Sequence, residues 1–336
     1  MAKSIAAVVV TGLALYVLLP ALTKVFAAWP RLSKLSPWWL AVSCLAEVAS
    51  FACTFRLECL VLRTRNWFAV VTAGLAGNAV TNVLPGGDAA GADVQFHMLA
   101  TAGIDADSAA GGLTASSLLG VGGLLALPVL ALPAILGGTR IKPGLLHAAL
   151  VGMGGFALFF LGGVIIMTTD QPLVFVGRCA QRIWNTFARH RAPVKELDQR
   201  LLRQRDAVRA TLGSSGREAV LLVAGRLGFD YFCLLAALRA TGGNPKPSLV
   251  LLAYAAAGVV ALVPLTPGGL GVVEASLSGM LILAGVAPPS ALVATLAYRL
   301  ASYWLPVNAG AVAYWLYRRQ YGPVQLTNTT SDRGNS

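Results

Sequence analysis

Apolar runs that approach or reach the thickness of a bilayer recur along this chain, among them Ile5 to Leu19, Leu145 to Met167 and Leu249 to Val263. Lipid offers no partner to a backbone N–H or C=O, so such runs are stable only as helices or as strands of a closed barrel. The apolar/polar alternation of a transmembrane barrel is absent. Charge points the same way, since 12% of the 336 residues are charged and 56% hydrophobic, against roughly 25% charged in a soluble domain. The chain reads as an all-α, polytopic integral membrane protein.

The net charge of +12 raises the question of nucleic acid. Ten of the 26 basic residues, however, lie between Arg178 and Arg217, in the one long polar stretch. That concentration fits a cytoplasmic loop beside anionic lipid headgroups, and no nucleic-acid partner is expected. Cys44, Cys53, Cys59, Cys179 and Cys233 show no metal-ligand spacing, and no metal or cofactor is expected. The N-terminus, Lys3 followed by Ile5 to Leu19 and Phe26-Ala27-Ala28, has the outline of a signal peptide. Its long apolar stretch and the membrane segments that follow favour a retained span.

Polar punctuation divides the chain at about 4–27, 37–62, 66–84, 89–104, 107–137, 145–168, 217–239, 247–264, 270–286 and 289–317. If 66–84 crossed fully and 89–104 were a loop, then with the N-terminus inside the basic stretch would fall outside, against the positive-inside rule. Two re-entrant hairpins, at about 66–104 and 247–286, return it to the cytoplasm along with Arg318-Arg319. The expected architecture is about six full transmembrane helices plus two re-entrant helical hairpins opening to opposite faces. It comprises a first membrane repeat at 1–168, a basic cytoplasmic loop with an amphipathic helix at 169–216, a second repeat at 217–320 and a disordered tail at 321–336.

Direct comparison within the sequence supports an inverted repeat. Pro85-Gly86-Gly87 is followed by Ala102-Gly103-Ile104 and Ser108-Ala109, and Pro267-Gly268-Gly269 by Ala284-Gly285-Val286 and Ser290-Ala291, every position offset by 182. Proline and adjacent glycines inside a membrane segment free backbone groups that only protein or water can satisfy, so each break marks a cavity or a protein-lined kink. The helix that follows starts with its positive dipole end toward mid-membrane, where a phosphate or carboxylate is held well. Asn82 before the first break and Thr266 before the second can bond the freed backbone or a ligand.

Seven charges fall inside apolar segments: Glu47, Arg56, Glu58, Arg226, Asp230, Glu274 and Arg299. Each is costly unless paired or facing water. Arg226 and Asp230, four apart on a helix, can neutralise each other or contact substrate. Glu274, about one turn past the second break, and Arg299 can bound a headgroup site, form a salt bridge that fixes the hairpin to the last span, or do both at once. Asp88 and Asp93, after the first break, either meet a cationic headgroup or are solvated at a cytoplasmic mouth. No nucleophile with a base, HExxH helix or phosphate loop is visible, so no catalytic residue is assigned.

The stretch Pro264-Leu-Thr-Pro-Gly-Gly-Leu-Gly-Val-Val-Glu274, followed by Ala284-Gly-Val286 and Tyr298-Arg299, resembles the signature of the lysylphosphatidylglycerol synthase transmembrane-region family. Asn82-Val-Leu-Pro-Gly-Gly87 is similar to that family's first glycine-rich break. Many members carry a basic residue soon after it, where this chain has Asp88, Asp93 and Gln95. The resemblance implies a flippase-like protein of the bacterial plasma (inner) membrane, without the soluble aminoacyl-transfer domain and with both termini cytoplasmic. Its substrate would be a polar-headed lipid: a phospholipid, an aminoacylated phospholipid, or an isoprenoid or hopanoid-type lipid. Asn82, Pro85, Gly86, Gly87, Asp88, Asp93, Arg226, Asp230, Thr266, Pro267, Gly268, Gly269, Glu274 and Arg299 are the candidate substrate-binding residues. Two alternatives are a membrane-embedded enzyme of lipid-linked sugar or phosphate metabolism and a non-transporting partner of a lipid synthase.

Overall fold

A computed structural model describes residues 35–84, 87–130, 143–171, 174–175, 178, 181, 197–262 and 266–323. The expected span at 4–27, Pro85, Gly86, most of the stretch from 172 to 196 and the tail beyond 323 lie outside the described residues.

The described residues are helical throughout, with no strand among them. The helices are α1 (Pro37–Val61), α2 (Trp67–Val83), α3 (Gly87–Thr101), α4 (Ala106–Leu130), α5 (Pro143–Thr168), α6 (Leu197–Ala240), α7 (Pro247–Ala261), α8 (Val272–Leu283), α9 (Pro288–Arg299) and α10 (Leu305–Tyr321). Local chemistry sets many of the starts. Proline occupies the first turn of α1, α7 and α9, where its missing N–H costs nothing. Asn66 caps α2 by accepting from Ala69 N (3.2 Å), and Asp105 caps α4 by accepting from Ser108 N (3.0 Å). Those bonds from Ser108 hold the Asp105 carboxyl below the usual carboxylate range.

Four helices are long and apolar enough to cross a membrane: Pro37–Val61, Ala106–Val129, Pro143–Ile166 and Ser215–Ala240. Their outward faces carry large bare apolar side chains, such as Leu158, Phe160 and Leu161 on α5, which water would penalise and lipid accepts. The protein is an integral membrane protein. Helices α2, α3, α7 and α8 are shorter, at 17, 15, 15 and 12 residues.

Residues 197–216, within the basic stretch for which an amphipathic helix is expected, are helical and continuous with the following span. The 44 residues of α6 run about 66 Å at 1.5 Å per residue. A kink at Ser215 (φ −133°, ψ 18°) marks where the polar half gives way to the apolar one. In the polar half the buried Arg205 guanidinium pairs with Asp170 and with Asp206.

Helices α1 and α6 form the spine, packed antiparallel. Ser43 Oγ donates to Cys233 O (3.1 Å), Ser50 Oγ to Arg226 O (3.0 Å), and Arg56 pairs with Glu218 (2.8 Å). The first short pair, α2 and α3, is drawn together by glycine. A Cβ on Gly77 would stand 2.8 Å from Gly91 O, and one on Gly91 would stand 2.0 Å from Thr81 Oγ1. Helix α10 then lies along α2, where a Cβ on Gly310 would meet Leu75 O at 2.4 Å. Helix α4 lies along α7, where a Cβ on Gly258 would meet Leu124 at 2.7 Å.

The turns closing α3 and α8 carry the same hydrogen bonds at equivalent positions. Ala102 N donates to Met98 O and Ile104 N to Leu99 O; Ala284 N donates to Met280 O and Val286 N to Leu281 O. Both turns pass through a left-handed glycine, Gly103 (φ 87°) and Gly285 (φ 94°), as this helix ending requires.

Candidate functional site

The second break is a single tight turn, Pro267–Gly269, between α7 and α8. Gly268 sits at φ 55°, and a Cβ there would stand 2.5 Å from the Tyr303 ring and 2.7 Å from Asn82 O, so only glycine fits. Thr266 Oγ1 donates to Leu270 O (2.9 Å), bonding one of the freed carbonyls as its position predicts.

Glu274 lies in the first turn of α8, and both its oxygens are engaged. Oε2 accepts from Gly271 N (2.5 Å), capping the helix, and Oε1 accepts from Arg299 Nε (2.8 Å). The salt bridge is secluded, with side chains 15% and 12% exposed. Arg299 spends a second donor on the break itself, Nη2 to Gly268 O (2.9 Å), and its guanidinium lies 4.4 Å from the centre of the Tyr303 ring. Of the two roles open to this pair in the sequence, the structure shows the salt bridge that fixes the break to the last helix.

Helix α9 passes into α10 through a π turn, Leu300–Trp304. Pro306 supplies the cause: it has no N–H for the carbonyl four residues back, and its ring crowds that carbonyl. Leu305 N reaches back instead to Leu300 O. Tyr303 therefore stands beside Arg299 and faces the other hairpin, where its hydroxyl donates to Asn82 O (2.9 Å). Asn82, at the end of α2, is further held by Nδ2 bonds to Asn78 O (3.0 Å) and Oδ1 (2.9 Å). The approaches to both breaks thus meet at one short stretch of the last helix.

Gly87 starts α3 so close to α2 that a Cβ would stand 2.2 Å from Thr81 O. Asp88 and Asp93 are exposed and take no part in the bonds around Arg299. Asp93 engages only its own helix, through His97 Nδ1 at 2.8 Å from its carbonyl and 3.4 Å from its carboxylate.

Asp230 and Arg226 do not form the ion pair their spacing offers. Asp230 accepts from the hydroxyls of Tyr254 on α7 and Tyr298 on α9, the latter at 2.9 and 3.0 Å. Arg226 directs its guanidinium toward α4, where a Cβ on Gly120 would stand 2.8 Å from Nη1. Tertiary donors outbid the local partner because three helices converge on Asp230, whereas Arg226 sits one turn away at the edge of that convergence. Beside them, Glu58 accepts from Gln95 Nε2 of α3 (3.1 Å) and abuts Gly74 of α2.

Tyr254, Tyr298 and Tyr303 were not singled out in the sequence as polar partners. The one signal available was general: a buried carboxylate has to find donors, and tyrosine on a neighbouring apolar helix is a frequent supplier.

Residues 4–310 match the family described as the lysylphosphatidylglycerol synthase TM region. A UPF0104 membrane protein of Methanothermobacter thermautotrophicus is 31% identical over 90 residues, covering 27% of this chain and 24% of that protein's length. No solved structure matches the chain significantly. With more than half of its length matched to that one family, the chain belongs to the lysylphosphatidylglycerol synthase transmembrane-region family.

Proposed function

We propose that the protein is a flippase-like transporter that moves a polar-headed lipid between the leaflets of a bacterial plasma membrane. The observation that carries this is the meeting of the two hairpins at Arg299 and Tyr303, which bond the Gly268 and Asn82 carbonyls respectively. In an inverted-repeat carrier, discontinuous helices meet at a midplane site, and alternating access follows from one repeat moving against the other. Two short helix pairs, identical turns offset by 182 residues, an antiparallel spine and the cross-packing of α10 on α2 and α4 on α7 support that arrangement. Six full spans with both termini cytoplasmic complete it. The headgroup, from a phospholipid, an aminoacylated phospholipid or an isoprenoid or hopanoid-type lipid, would displace the Gly268 carbonyl from Arg299 while the acyl chains stay in bilayer.

The test is translocation of labelled lipids in proteoliposomes containing the full chain, with a circular-dichroism melt confirming fold. Movement of at least one class, lost in Arg299→Ala, is the expected result. No movement of any class by folded protein overturns transport, and product formation from lipid-linked sugars in detergent would favour an enzyme instead.

A further inference from the structure

The spine of the molecule holds a second polar centre that transport of a headgroup at the breaks does not use. Glu47 on α1 is 4% exposed, and the antiparallel register that sets Ser43 on Cys233 and Ser50 on Arg226 places it opposite Asp230 of α6. Its Oε2 finds no hydrogen-bond donor among the described residues. Asp230, by contrast, already accepts from Tyr254 and from Tyr298. Two carboxyl groups therefore confront each other inside the bundle, one supplied with donors and the other without.

The groups facing this pair are Cys44 on α1, Arg226 and Cys233 on α6, Tyr254 on α7 and Tyr298 on α9. Arg226 brings the one full positive charge of this set, and it also faces Glu58. It can offset a single carboxylate. With both Glu47 and Asp230 ionised, an uncompensated negative charge would stand among buried apolar residues, which is strongly unfavourable. With a proton on Glu47, its O–H donates to Asp230, the hydroxyls of Tyr254 and Tyr298 remain donors, and the remaining negative charge faces Arg226. The unpartnered oxygen of Glu47 is the mark of that missing hydrogen.

We infer that Glu47 and Asp230 form a proton-binding site on the α1–α6 spine, holding one proton between two carboxyl groups. Its place suits it to drive movement, an extension that rests on the transport reading above. Tyr298, bonded to Asp230, is the residue before Arg299, which holds the second break. Loss of the proton to water on one side leaves two like charges in contact, and displacement of Asp230 away from Glu47 pulls on Tyr298 and so moves α9, and Arg299 with it, away from Gly268. Uptake of a proton from water on the other side restores the closed arrangement, so each cycle carries one proton across and changes no covalent bond in the lipid.

Two measurements on the full chain test this. Infrared difference spectra of the protein in lipid, taken between acid and alkaline pH, should show a protonated-carboxyl stretch that is lost in both Glu47→Gln and Asp230→Asn, with thermal melts verifying fold. Labelled-lipid movement should respond to an imposed pH gradient in the parent protein, and that response should be lost in Glu47→Gln, whose amide N–H permanently stands in for the proton. The site is overturned if the stretch persists in both folded variants. Coupling is overturned if lipid moves at the same rate with and without the gradient, or if only a sodium gradient drives it. A folded parent that moves no lipid sinks the transport reading, while the infrared band still decides the proton site.

Discussion

Arg299 illustrates why its replacement by another cation is not conservative. Its fork of donors serves Glu274 through Nε and Gly268 through Nη2 at the same time, and a lysine ammonium is a compact point charge that cannot span both. Removing one member of a secluded ion pair leaves the other charged and unpaired, at a cost of about 3–5 kcal/mol. Glu274→Gln and Arg299→Gln singly should each lower the melting temperature markedly, and the double variant should recover part of the loss. A double-mutant cycle by thermal melting checks this; strictly additive effects would mean the pair is not coupled. Glu274 with Arg299 was legible from sequence because both lie at fixed distances from a proline-glycine-glycine break. The fate of Arg226 was not, since the i, i+4 rule sees one helix and Asp230 is satisfied by two others.

Among the helices, the passage from α9 through the π turn into α10 has a single local cause, and that makes it testable. Pro306→Ala supplies the missing N–H, allowing the wider turn to relax to an ordinary α-helix. Loss of the extra residue turns the helix on one side by about 100° relative to the other, so Arg299 and Tyr303 cannot both keep their partners against a fixed α10. Lipid movement should fall severalfold while the melting temperature holds or rises, separating a positioning effect from unfolding; unchanged movement would show that the π turn is incidental. The proline was visible in sequence, but the outcome depended on the hairpins that anchor both ends. Helix α6 shows the converse. The shift from apolar to basic composition near Ser215 reads as a boundary, yet arginine, glutamine and leucine are good helix formers, and the chain stays helical through the kink. Composition reported where the environment changes and was silent on whether the backbone does.

On the scale of the whole molecule, the two hairpins are expected to open to opposite faces. Asp107 and Pro289, equivalent under the 182-residue offset, are exposed just after the two glycine turns. In a cysteine-free background, Asp107→Cys should react with an impermeant maleimide only from the cytoplasmic side and Pro289→Cys only from the opposite side. Labelling of both from one face would dismantle the inverted arrangement. The repeat was readable because the turn residues recur at a constant interval; the cross-packing of α10 on α2 and of α4 on α7 was not, since it joins residues far apart in sequence through small side chains that any apolar helix shares. One consequence of the stretch from Arg299 to Tyr303 concerns cooperativity. Two breaks held by separate contacts could each loosen alone and populate half-released arrangements. Here one turn of helix grips the Gly268 carbonyl at one end and the Asn82 carbonyl at the other, so a movement that loosens one hold displaces the other in the same step. In the proposed transporter, release of the two hairpins would be a single all-or-none event instead of the product of two chances.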